Sequence, residues 1–233
     1  MGAVTFHCDL SGKANPLPHY WEHTVGSGHA TLALRSDWQR QLQKCHNELG
    51  FLHVRFHGLL CDDMSTLYED QGELVYSFIN TDLIFDFLIS TGMKPFIELS
   101  FMPTAIASGS TTVLHYKANI TQPKNYKQWA TLISKLTSHW VQRYGVQEVR
   151  QWFFEVWNEP NLPKDFWEGT QKDYFKLYRD AAKAIVSVDD ALQVGGPATA
   201  KNEWIDEFRD FCENNNVPVR FISTHHYPTD DFG

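Results

Sequence analysis

The segment Trp152-Phe-Phe-Glu-Val-Trp-Asn-Glu-Pro160 holds the residues whose types and order best suit chemistry. An apolar strand that runs into Asn158, Glu159 and Pro160 sets a carboxyl group beside an amide donor at a strand end, and Pro160 stops the strand there. In an aromatic, partly dry pocket the pKa of a glutamic acid rises toward working pH, so such a group can protonate a leaving oxygen, as glycoside hydrolysis requires. Trp157 would supply the aromatic wall, and Asn158 a donor to the sugar hydroxyl beside the reacting carbon. On position alone, Glu159 suits equally well the capping of a following helix. Polar and aromatic residues also gather after other apolar runs: His57, Phe101, and His225 to Tyr227. Asp62 and Asp63 either bind a sugar hydroxyl or order their loop. Glu98, Glu155 and Arg55 lie within apolar strands, where a charged group is expected to pair with polar neighbours below the catalytic rim.

These side chains must be positioned by alternating elements. Ser36-Asp-Trp-Gln39 reads as a capping box, followed at helical spacing by Trp38, Leu42, Cys45 and Leu49 and stopped by Gly50. Strands are predicted over His23 to Val25, Phe51 to Phe56, Pro95 to Phe101, Gln151 to Trp157, Leu192 to Gly195 and Val219 to Thr224. Further helices are predicted over Thr81 to Thr91, Asn125 to Tyr144, Lys172 to Val188 and Glu203 to Glu213. Regular alternation implies a parallel sheet covered by helices, either an open doubly wound sheet or a (β/α)8 barrel. The barrel is favoured because Gly26-Ser-Gly28 lacks the third glycine of a dinucleotide turn, and because the polar clusters fall at the carboxyl ends of strands, which in a barrel share one face. The expected fold class is therefore α/β, an incomplete (β/α)8 TIM barrel of six βα units over 23–233, preceded by an extended segment over 1–22.

Composition excludes several other functions. The 233 residues carry a net charge of −8, which offers no basic footprint for nucleic acid or an anionic membrane surface. No run of 18 apolar residues exists and residues 1–12 lack a signal-peptide pattern, so the expected location is cytoplasmic. Cys8, Cys45, Cys61 and Cys212 show no paired spacing, which points to free thiols. The 11 histidines raise the possibility of a metal enzyme, with His57, Cys61, Asp62, His225 and His226 converging at one mouth. No compact ligand pair such as H-E-x-x-H occurs, so neither metal nor cofactor is expected. Nothing in the sequence fixes an oligomeric state.

The stretch Phe154-Glu-Val-Trp-Asn-Glu-Pro-Asn161 resembles the acid/base signature of glycoside hydrolase family 39, the β-xylosidases and α-L-iduronidases. His57-Gly-Leu-Leu-Cys-Asp-Asp63, Lys94-Pro-Phe-Ile-Glu-Leu-Ser-Phe-Met-Pro103, Tyr174-Phe-Lys-Leu-Tyr178 and Val194-Gly-Gly-Pro197 fall in the order and spacing of that family's β-xylosidases, from His19 onward. The resemblance implies retaining hydrolysis, with Glu159 as general acid/base and His57, Asn158, His225 and Tyr227 as contacts to sugar hydroxyls. His226 departs from the small residue expected between the last two. The resemblance also puts the nucleophilic glutamate at the end of a seventh strand. Strands seven and eight and that nucleophile are thus expected to be absent from these residues, and the chain alone inactive, since retention needs two carboxyl groups about 5 Å apart. Substrate choice lies between a xyloside and a uronide. A buried uronate needs a Lys or Arg partner, and none follows His225 through Gly233, which favours a xyloside. Without a nucleophile, a carbohydrate-binding role lacking hydrolysis is the alternative.

Overall fold

The computed structural model describes residues 3–230. Six strands form one sheet: β1 (Thr24–His29), β2 (His53–His57), β3 (Lys94–Leu99), β4 (Phe153–Val156), β5 (Gln193–Ala200) and β6 (Phe221–His225). They pair in parallel and in chain order. Helices α1 (Ser36–Leu49), α2 (Ile79–Ser90), α3 (Tyr126–Tyr144), α4 (Gln171–Val186) and α5 (Ile205–Asn214) connect successive strands. A doubly wound sheet reverses its strand order at a switch point, and this one does not.

The sheet is curled into a half-barrel. Across three strand spacings a flat sheet separates its side chains by about 14 Å. Here the rings of Phe96 on β3 and Phe221 on β6 lie 5.7 Å apart, and His23 before β1 lies 5.5 Å from Phe153 on β4. The period of two along each strand then sorts residues into an outer and an inner face. Val54, Phe56, Ile97, Leu99, Phe154 and Val156 are buried on the outer face, with Trp140 of α3 6.1 Å from Phe154. The inner face stacks in layers. His53, Phe96, Phe153 and Phe221 form an aromatic floor, Arg55, Glu98 and Glu155 a charged middle, and His57 and His225 the rim. Among the described residues β1 and β6 have one strand neighbour each.

Several local expectations need correction. Ser36 heads no capping box: Arg35 precedes α1 without a side-chain cap, Asp37 is drawn into bonds from Arg35 and the Trp38 amide, and Gln39 donates to Ala33 O. The capping box sits instead at Thr170 and Asp173, ahead of α4. β1 runs on to His29, and β5 continues past Gly195 through Pro197 to Ala200. Two hairpins were not expected, Leu67–Asp70 with Glu73–Tyr76, and Thr112–Val113 with Ala118–Asn119. The first turns at Gln71 and Gly72, whose φ angles of 50 and 87 match the twist of a two-residue hairpin turn. Residues 3–19 form no helix or strand and are exposed. No helix among the described residues is long and apolar enough to cross a membrane.

Candidate active site

β4 ends at Val156, and the next residues turn sharply. Trp157 and Glu159 have φ angles of 74 and 45, a left-handed conformation that costs a non-glycine residue on the order of 1–3 kcal/mol. Surrounding bonds hold it. Trp157 Nε1 donates to Phe166 O at 2.8 Å, and Glu159 N donates to Ala198 O at 2.8 Å. The Tyr174 hydroxyl lies 3.0 Å from both Val156 O and Pro197 O. The Asn161 side chain accepts from Ala200 N at 2.9 Å and donates to Ala200 O at 3.0 Å. The turn is therefore stitched to β5 at three residues, Ala198 and Ala200 directly and Pro197 through Tyr174, and the Glu159 carboxyl group is aimed at the rim. There its Oε1 lies 2.8 Å from His225 Nδ1, with the Glu159 side chain only 12% exposed.

Asn158 is fixed from below. Arg55 donates to Glu155 Oε2 at 2.6 Å, to Glu98 Oε2 at 2.8 Å and to Asn158 Oδ1 at 3.0 Å. Because Arg55 occupies the Asn158 oxygen, the amide nitrogen is the end left to donate. Glu98 is fully buried and also takes His57 Nδ1 at 2.8 Å and the Ser100 hydroxyl. Burial raises the Glu98 pKa, but the charges of Arg55 and His57 and the bonds from His57 and Ser100 outweigh it, leaving the carboxyl below its ordinary value. Burial likewise opposes charge on Arg55 and His57; the Glu155 and Glu98 carboxylates reverse this for Arg55, and Glu98 reverses it for His57, so both are raised. With Nδ1 bound to Glu98, His57 keeps Nε2 for another partner. A carboxyl group flanked by histidines and by an amide donor, above a neutralising charged layer, is an arrangement fit for acid/base chemistry on a polyhydroxylated substrate.

The family model of glycosyl hydrolases family 39 matches residues 5–233. The chain belongs to that family. A beta-xylosidase of Caldicellulosiruptor saccharolyticus is 60% identical over 220 residues, covering 94% of this chain and 44% of the relative. A beta-xylosidase of Geobacillus stearothermophilus is 46% identical over 214 residues, covering 89% of this chain and 42% of the relative. A crystal structure of a monomeric beta-xylosidase from Caulobacter crescentus CB15 superposes with a TM-score of 0.89 at 41% identity, over 95% of this chain and 45% of that one. The chain thus spans less than half the length of these family 39 relatives.

Within this family 39 chain, the structure brings His57, Asn158, Glu159 and His225 to one end of the sheet. Tyr227 is 60% exposed; its backbone N–H donates to Asp230 Oδ2 at 2.8 Å, and no described hydrogen bond or ring contact joins its side chain to Glu159. Asp62 and Asp63 are engaged in ordering loops: Asp62 accepts from Thr104 N at 2.9 Å, and Asp63 pairs with His29 at 3.2 Å and accepts from Thr31. Sequence reasoning missed Ser100 as a partner of Glu98, and Tyr174 and Asn161 as ties behind the Glu159 turn. The sequence led to the expectation that Arg55, Glu98 and Glu155 pair with polar neighbours below the rim, but not which of them would touch Asn158. Among the described residues no group of three or more His, Cys, Asp or Glu side chains could hold a metal ion. The four cysteines are free, and burial pushes the Cys61 and Cys212 thiols up to about 12.

Proposed function

We propose that the chain is the six-unit opening part of a (β/α)8 barrel in a retaining family 39 glycoside hydrolase that removes xylosyl units, with Glu159 as general acid/base. The observation that carries this reading is the Glu159 carboxyl group, set at the carboxyl end of β4 by a tied-down left-handed turn and bonded to His225 at 2.8 Å. Asn158, His57, His225 and Tyr227 are assigned to the sugar hydroxyls. Glu98 and Glu155 are poor nucleophile candidates, since both are bonded to Arg55 and sealed from solvent. The reading assigns the second carboxyl group to the part of the relatives' length that lies outside the matched 44%. A neutral xyloside is preferred over a uronide because Arg55, the cation that touches Asn158, is already shared among two carboxylates and that amide.

The test is leaving-group dependence in the complete enzyme. General acid catalysis contributes roughly 10²–10⁴-fold. Glu159→Gln should lose about that much on a xyloside with an alkyl or sugar leaving group. The loss should be far smaller for glycosylation by an aryl xyloside whose phenolate leaves without a proton. An equal loss on both substrates removes Glu159 from the acid role, and faster hydrolysis of a uronide than of a xyloside removes the substrate assignment.

A further inference from the structure

Outside the site just described, a surface groove of about 420 Å³ lies between the Leu67–Asp70 strand and the loop after β3, lined by Asp62, Leu67, Tyr68, Glu69, Thr104 and Lys124. Its volume is in the range of small-molecule sites. The loop after β2 and the loop after β3 build it, and both leave the carboxyl ends of their strands, as the Glu159 turn does after β4. Asp62 Oδ1 accepts from Thr104 N and braces the two loops together.

Apart from Asp62 Oδ1, the groove's functional groups are not spent on the protein itself. Tyr68 is 44% exposed, and among the described residues its ring meets no other ring and no cation. The Tyr68 hydroxyl, the Glu69 carboxylate and the Lys124 ammonium enter no hydrogen bond or ion pair among the described residues. Two carboxylates against one ammonium leave the groove slightly negative, which disfavours an anion. A neutral polyol fits better: its hydroxyls donate to Asp62 and Glu69 and accept from Lys124, while its C–H face covers an aromatic ring.

We propose that this groove is a distal carbohydrate subsite, in which Tyr68 stacks on a remote unit of a xylan-type oligosaccharide. The proposal rests on the functional reading above for its substrate class and goes beyond it in assigning a second point of contact. It predicts a dependence on chain length that the Glu159 site alone would not produce.

The experiment is calorimetric titration of the protein and its Tyr68→Ala and Tyr68→Phe variants with xylobiose and with xylotetraose. Tyr68→Ala should weaken xylotetraose about fivefold, the size expected from uncovering a few tens of Å² of apolar ring surface, and leave xylobiose unchanged. Tyr68→Phe should keep the wild-type affinity for both. Because Tyr68 is a surface residue of a hairpin, the unfolding midpoint should not move. Undiminished xylotetraose binding by Tyr68→Ala, or equal weakening of both sugars, overturns the subsite while leaving the Glu159 reading intact. Failure of the wild-type protein to bind either sugar overturns both.

Discussion

Arg55→Met removes the one cation buried in the charged middle layer while keeping most of the side-chain volume. In the wild type Arg55 bonds Glu155, Glu98 and Asn158 at 2.6, 2.8 and 3.0 Å. The Glu98 and Glu155 side chains are 0% and 2% exposed, so neither carboxylate can turn to solvent when the guanidinium is lost. Breaking a buried pair by removing one partner costs about 3–5 kcal/mol. Domain stability is typically about 5–15 kcal/mol, so the variant should lose roughly a fifth of its stability or more. The sign of the pH dependence distinguishes this cause from a packing defect. In the wild type the Glu98 pKa is lowered from 4.5, so its stabilisation is present above that value and is lost as pH falls through the folded-state value. In the variant burial prevails over the remaining bonds, the carboxyl rises, and protonation relieves the penalty. Urea unfolding of both proteins from pH 7.5 down to 4.5 should therefore show the difference shrinking as pH falls. A difference under about 1 kcal/mol at neutral pH, or one that does not change with pH, refutes the argument.

Three further outcomes are expected. Thr170→Ala deletes the capping box ahead of α4 and should cost about 1 kcal/mol in thermal or urea unfolding. Gly195→Ala places a Cβ 2.3 Å from Phe221 O, so β6 must shift; the loss should be about 1–3 kcal/mol by denaturant midpoint, whereas Gly26→Ala, with nothing within 4 Å of its new Cβ, should cost less. The His57 pKa is raised by Glu98, so its stabilisation is complete below the unfolded value of about 6.5 and is lost as pH rises through the folded one. NMR titration of the His57 ring should give a midpoint above 6.5, and Glu98→Gln should lower it.

The pairing of Arg55, Glu98 and Glu155 below the rim was legible because a charge inside an apolar strand needs a polar partner, and the clustering of polar residues after strands followed from the order of residues alone. What failed was local competition for the same groups. Ser36 and Gln39 have the spacing of a capping box, yet Gln39 is taken by Ala33 O and Asp37 by Arg35, contacts that no four-residue pattern contains. The strand was expected to end at Gly195, ahead of Pro197, which lacks an N–H. In the structure the ladder to β6 absorbs it: Ser223 stands opposite Pro197 and Thr224 opposite Thr199, so Ala198 is skipped. The hairpin at Gln71-Gly72 was missed because that pair is a weaker turn signal than Asn-Gly or Asp-Gly.

The skipped residue links the fold to the site. Because Ala198 falls out of the β5–β6 ladder, its carbonyl is free to accept Glu159 N at 2.8 Å, which sets the left-handed turn that aims the carboxyl group. The other contacts at the site also join distant parts of the chain: Arg55 and Glu155 are 100 positions apart, and Glu159 and His225 are 66 apart. None of these bonds forms within a single element, so each depends on the curl that brings strands face to face. The Arg55 layer depends on β2, β3 and β4, in the middle of the sheet, whereas the Glu159–His225 contact depends on β6, an edge among the described strands. Glu159 is thus held from two strands at once, by its amide tie to Ala198 on β5 and by its carboxyl contact with His225 on β6.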